Sequence, residues 1–102
     1  MDKKKPHYQL SAIQVDVSEL GHAAFTVSAL MGGYSLGLSL KQMLKVIADL
    51  KGADFYKSMT TYGDSSRWQD VYRPTVDDGV ELYVKVTYRE DNGPPVISFK
   101  ER

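Results

Sequence analysis

The apolar positions change their spacing near the middle of the chain. Leu10, Ile13, Val17 and Leu20 recur at helical intervals and predict a helix that Gly21 stops. Ala24–Val27 reads as a short extended piece, and Ser28–Tyr34 as a weak helix broken at Gly32-Gly33. Ser39 and Gln42 then form a capping box ahead of Leu40, Met43, Leu44, Ile47 and Leu50, one apolar helix face closed by Gly52. Beyond Gly52 the period falls to two. β-branched and aromatic residues predict strands near 55–62, 68–74, 80–90 and 96–101, with turns at Gly63–Arg67, Asp77–Gly79 and Asp91–Gly93. Helices first and hairpins later predict an α+β fold: one domain over residues 1–102, an antiparallel β-sheet with N-terminal helices packed on one face.

Alternation sorts the strand residues. Val80, Leu82, Val84, Val86 and Tyr88 form a core face with Ile97 and Phe99, so Tyr83, Lys85, Ser98 and Lys100 point away from it. A two-residue turn at Asn92-Gly93 would pair Val86 with Phe99, Tyr88 with Ile97 and Lys85 with Lys100. A five-residue loop at Gly63–Arg67 would pair Met59 with Val71, Thr61 with Gln69 and Lys57 with Arg73. Like charges directly opposite cost roughly 0.2–1 kcal/mol per pair. Two such pairs, each beside hydrogen-bonding neighbours, suggest a place prepared for an anion, with a phosphodiester the first candidate. Tyr56, Tyr62, Trp68 and Tyr72 lie close enough in sequence to stack bases, although Trp68 and Tyr72 alternate with Gln69 and Arg73 and read as ordinary sheet residues.

Composition narrows the chemistry. Lys+Arg and Asp+Glu number 13 each, so no net charge draws the chain to nucleic acid, and any such site is a local cluster. Lys3-Lys4-Lys5 reads as a frayed, solvated terminus. The absence of cysteine removes disulfide, thiol and thiolate–metal chemistry. His7 and His22 each lack a second ligand at helical spacing, so no metal site is expected. No apolar run has the length of a leader or a bilayer span, and the expectation is a cytoplasmic protein with no membrane contact.

Two runs carry a resemblance: DFYKSMTTY (Asp54–Tyr62) and WQDVYRP (Trp68–Pro74). Together with LYVK (Leu82–Lys85), VISFKE (Val96–Glu101), Pro6-His7 and Ser28-Ala29-Leu30, they resemble the motility quorum-sensing regulator (MqsR) toxins of bacterial type II toxin–antitoxin systems. The likeness covers nearly the whole chain and is looser in the N-terminal helices. Residues 63–67 and the longer turn Glu90–Pro95 depart from the pattern, which bears on sequence preference and antitoxin specificity more than on catalysis. The resemblance implies a RelE-like fold and an mRNA interferase, a ribosome-independent endoribonuclease that cuts single-stranded mRNA with a preference for GCU. It implies a cognate antitoxin as partner and no cofactor. The family's active-site residues fall on Lys57, Gln69, Tyr83 and Lys100, and its motif residues on Tyr56, Met59 and Arg73.

Such a site has no imidazole, so amines and phenols must move the protons. A neighbouring cation favours the neutral form of a lysine. The expectation is that Lys57 or Lys100 is the base, with Tyr83 as acid or hydrogen-bond donor. Arg73 would clamp the phosphate, Gln69 would orient the scissile group or read a base, and Tyr56, Met59 and Lys85 would touch the substrate. The rival reading is a non-catalytic module that holds RNA or an antitoxin with the same groups. An inactivated toxin fits poorly with an intact set of site residues. Ala24–Val27 is a candidate edge for pairing with a partner strand.

Overall fold

The structure, a computed structural model, describes residues 2–61, 64–76, 79–88 and 93–102. Helices α1 (Leu10–Leu20), α2 (Val27–Ser35) and α3 (Leu40–Ala48) precede most of a five-stranded sheet. Its strands are β1 (Asp2–Lys3), β2 (Phe55–Thr61), β3 (Asp64–Tyr72), β4 (Leu82–Val86) and β5 (Val96–Glu101), in that spatial order and all antiparallel. This is the expected α+β architecture. Ile13 and Val17 of α1, Ala29 of α2, and Met43 and Ile47 of α3 are buried in one core with Tyr72, Leu82, Val84, Val86, Val96 and Phe99 of the sheet.

Local chemistry sets the helix ends. Gly21 takes φ +59° after α1, and its N–H donates to the Val17 carbonyl. The Ser39 hydroxyl accepts from the Gln42 N–H at 3.2 Å while the Gln42 side chain accepts from the Ser39 N–H at 2.8 Å. The Gln14 amide of α1 reaches the carbonyls of Ile47, Ala48 and Leu50 at 3.1, 3.1 and 3.0 Å, which supplies donors to the end of α3.

Several expectations are corrected. Gly32-Gly33 does not break α2, which runs through both. A Cβ on Gly32 would sit 2.0 Å from the Phe99 carbonyl oxygen, and one on Gly33 would sit 1.9 Å from Met43 Sδ. The glycines let α2 lie against β5 and α3. The piece at 24–27 is already paired: Phe25 bridges Val96 in parallel, and the Thr26 N–H donates to the Val96 carbonyl at 2.9 Å. The side that faces β5 is therefore taken. The N-terminal lysines are not a frayed tail either. Asp2 and Lys3 pair with Met59 and Ser58 of β2, and the buried Asp70 carboxylate accepts from the His7 and Tyr8 N–H groups at 3.0 and 2.9 Å. Asp70→Asn would turn an amide N–H₂ toward one of those donors. It is expected to cost about 1–2 kcal/mol in urea unfolding and to speed hydrogen exchange at the His7 and Tyr8 amides.

Both hairpin registers differ from the expected ones by two residues. Lys57 faces Val71 and Met59 faces Gln69, because β3 begins at Asp64 and irregularities interrupt the ladder at Phe55/Lys57 and Thr60/Thr61. Tyr83 faces Lys100 and Lys85 faces Ser98, with an irregularity at Lys85/Val86 that brings Val96, rather than Ile97, into the core. The described connection is also longer than two residues, since β4 ends at Val86 and β5 begins at Val96. Tyr62 and Gly63, the turn residues Asp77-Asp78, and Arg89–Asn92 lie outside the described residues.

Candidate active site

Residues that alternate with the core positions occupy the sheet face turned away from the helices. One row crosses four strands as Lys57, Val71, Lys85 and Ser98. One step along the strands, Tyr83 faces Lys100, and a bond from the Leu82 N–H to the Pro74 carbonyl at 2.8 Å continues the β3–β4 register so that Arg73 lies across from Tyr83. One step in the other direction, Met59 faces Gln69. Val71 is 0% exposed yet stands outside the helix-side core, between two lysines.

Two aromatic rings organise the cations. The ladder irregularity between Phe55 and Lys57 leaves Tyr56 partly exposed, with Arg73 Cζ 4.4 Å from the ring centroid and Lys57 Nζ and Lys4 Nζ each at 5.5 Å. The Tyr83 ring has Lys100 Nζ at 5.4 Å and Lys85 Nζ at 5.7 Å. Cations gather over aromatic faces because the ring quadrupole attracts them, by about 0.5–1 kcal/mol at exposed positions. Lys57 and Arg73, expected to face each other across a ladder, instead share Tyr56. Lys85 and Lys100, likewise expected to be opposite, share Tyr83.

The electrostatics of Lys57, Lys85 and Lys100 differ. Lys57 Nζ donates to the Asp2 carboxylate at 3.3 Å, a partner brought by β1. Lys100 lies exposed on the outer strand β5. Lys85 sits between them, half-buried, and among the described residues no carboxylate pairs with it. Burial first, then the charges of Lys100 and Lys57, push its pKa below the ordinary lysine range. Sequence reasoning missed Asp2, Lys4 and the central position of Lys85. A two-residue strand has no period to detect, and the position of Lys85 depends on the register.

The remaining aromatics go elsewhere. Tyr72 is buried on the helix side, and burial followed by the Asp70 charge pushes its hydroxyl up to about 12. Trp68 stacks on His7 with centroids 5.3 Å apart and an interplanar angle of 18°, and Lys3 Nζ lies 4.2 Å from its centroid. Tyr62 lies outside the described residues. A cleft of about 710 Å³ opens between α3 and residues 74–76, away from the cationic face. Among the described residues no group of three or more His, Asp or Glu side chains is arranged to hold a metal, and no helix is long and apolar enough to cross a membrane.

The arrangement can hold a phosphate among a guanidinium and several amines, with a phenol beside them and one amine predisposed to lose its proton. Comparison with known proteins points the same way. The sequence profile of the family described as "Motility quorum-sensing regulator, toxin of MqsA" matches residues 5–101. The "mRNA interferase toxin MqsR" of Escherichia coli (strain K12) is 44% identical over 102 residues, which span 100% of both chains.

Proposed function

The chain belongs to the motility quorum-sensing regulator family of toxins, and from that premise we propose that it is an endoribonuclease, the mRNA interferase of a type II toxin–antitoxin pair. Its substrate is single-stranded mRNA, cut without the ribosome at GCU-like sites, and its partner is a cognate antitoxin. The observation that carries this reading is the gathering of Lys57, Arg73, Lys85 and Lys100 around Tyr56 and Tyr83 on the one sheet face that the helices leave open.

RNA carries its own nucleophile. When the ribose 2′-hydroxyl loses its proton, the 2′-oxygen bonds to the adjacent phosphorus and the P–O5′ bond breaks. This chemistry requires a base, an acid and positive charge around a crowded phosphate, and no cofactor. A neutral lysine of the face takes the proton. Tyr83 or a neighbouring ammonium returns one to the departing 5′-oxygen. Arg73, whose fork matches two phosphate oxygens, joins the remaining ammonium groups in meeting the charge that builds up. Gln69 and Met59, side by side on the same face, contact the nucleotides next to the scissile bond together with Tyr56.

Incubation with a GCU-containing single-stranded RNA in EDTA tests the reading. The expected products are a fragment ending in a 2′,3′-cyclic phosphate and one beginning with a 5′-hydroxyl. RNA held but left intact would identify a binding module instead.

A further inference from the structure

We propose that Lys85, rather than Lys57 or Lys100, takes the proton from the ribose 2′-hydroxyl, and that its two flanking amines act as ammonium ions. The inference rests on the endoribonuclease reading above and assigns the base within that site. Among the described residues, only Lys85 occupies a middle strand of the face with cations on both sides: Lys57 beyond Val71 on β2, and Lys100 diagonally across on β5. Lys57 has the Asp2 carboxylate to balance its charge, and Lys100 stands in solvent on the outer strand.

The groups that face Lys85 are Lys57 from β2, Val71 and Arg73 from β3, Tyr83 from its own strand, and Ser98 and Lys100 from β5. None is anionic. Three are permanent or usual cations, Val71 is apolar and fully buried, and Tyr83 offers a ring. An ammonium here is partly stripped of water and repelled from both sides, so the neutral amine is more accessible than on an ordinary surface lysine. Burial and the charges of Lys100 and Lys57 lower its pKa accordingly.

In the reaction the Lys85 lone pair accepts the 2′ proton as the O2′–P bond forms. The electrons of the breaking P–O5′ bond pass to the 5′-oxygen, which takes a proton from Tyr83 or an adjacent ammonium. Lys85 then returns its proton to water, and the acid regains one. Lys57, Arg73 and Lys100 carry the phosphate charge, which would otherwise hold Lys85 in its ammonium form.

Lys85→Arg tests this, because a guanidinium keeps the positive charge and has no accessible neutral form. Single-turnover cleavage of the GCU-containing RNA is expected to fall about 10²–10⁴-fold, the range of a lost general base. Affinity for the same RNA with a 2′-deoxy nucleotide at the cut site is expected to stay within about threefold of wild type. The wild-type rate should rise with pH on the acid side as Lys85 deprotonates. Lys57→Arg and Lys100→Arg should keep that rise, and Lys85→Arg should lose it. Ethylamine should restore cleavage to Lys85→Ala in proportion to the free amine present, a readout that also covers poor folding of the arginine variant. Cleavage by Lys85→Arg within about tenfold of wild type, or loss of the pH rise in Lys57→Arg or Lys100→Arg instead, would overturn the assignment while leaving the endoribonuclease reading intact. Intact RNA with the wild-type protein would overturn both.

Discussion

Arg73→Ala is expected to lower single-turnover RNA cleavage about 10²–10³-fold, the usual cost of removing one preorganised group that meets developing charge. Arg73 is held at two points. Its N–H donates to the Asp54 carbonyl at 2.7 Å, and its guanidinium lies 4.4 Å from the Tyr56 centroid. A group positioned before the substrate arrives needs little reorganisation when the phosphorus becomes five-coordinate. Arg73→Lys retains the charge but loses the fork and the flat stacking surface, so it should fall nearly as far. In the proposed mechanism Tyr56 supports Arg73 and contacts RNA. Tyr56→Phe keeps the ring and should stay within about threefold of wild type, whereas Tyr56→Ala should lose about tenfold. A wild-type rate for Arg73→Lys would show that charge alone suffices and would remove the clamp from the mechanism.

That prediction depends on a face whose membership is legible in the sequence and whose contacts are not. Alternation through Leu82–Val86 and around Gln69–Arg73 separates core from solvent without structural help, because a strand has only two sides. Around Lys57–Met59 and Tyr83–Lys85 the hairpin registers differ from those the turns suggest by two residues each, and an even displacement leaves the side chains there on their original faces. Lys57, Gln69, Arg73, Tyr83, Lys85 and Lys100 therefore remain together while their individual neighbours change. The ladder irregularities beside Tyr56 and Lys85 leave no trace in the hydrophobic pattern, so the sharing of Tyr56 and Tyr83 is a three-dimensional fact. Without the family resemblance, Gln69 and Tyr83 are unremarkable strand residues. Their roles come from the likeness, and only their placement comes from physics.

Glycine illustrates the other limit. Gly32-Gly33 reads as a break because glycine is a poor helix former, and nothing in the local sequence records which backbone lies against it. The same ambiguity covers Asp2, whose value to Lys57 appears only when β1 joins β2. The misread glycines and the missed Asp2 both concern contacts between segments far apart in the chain. The helix-side packing and the open cationic face meet at β5, which receives α2 through Phe99 and carries Ser98 and Lys100.

Gly32→Ala is expected to produce the largest loss of stability. At an unobstructed helix position the change from glycine to alanine gains about 1 kcal/mol. Here the new Cβ would stand 2.0 Å from the Phe99 carbonyl oxygen, a backbone atom of a strand paired with β4. Overpacking against movable side chains already costs about 1–3 kcal/mol, and a backbone strand yields less readily. The contact should therefore outweigh the propensity gain and leave a net loss of about 2–3 kcal/mol, a large share of a total near 5–15 kcal/mol. Gly33→Ala meets Met43 Sδ at 1.9 Å, a side-chain atom that yields more readily than a strand backbone although Met43 is itself buried, so its net loss should be smaller, about 1 kcal/mol. Urea unfolding of the two variants gives the order directly. Because β5 holds Lys100 against Tyr83, cleavage by the folded fraction of Gly32→Ala should also fall, while Gly33→Ala should cleave like wild type. A Gly32→Ala protein more stable than wild type would mean that α2 does not rest on β5, and the link from helix packing to the placement of Lys100 would be lost.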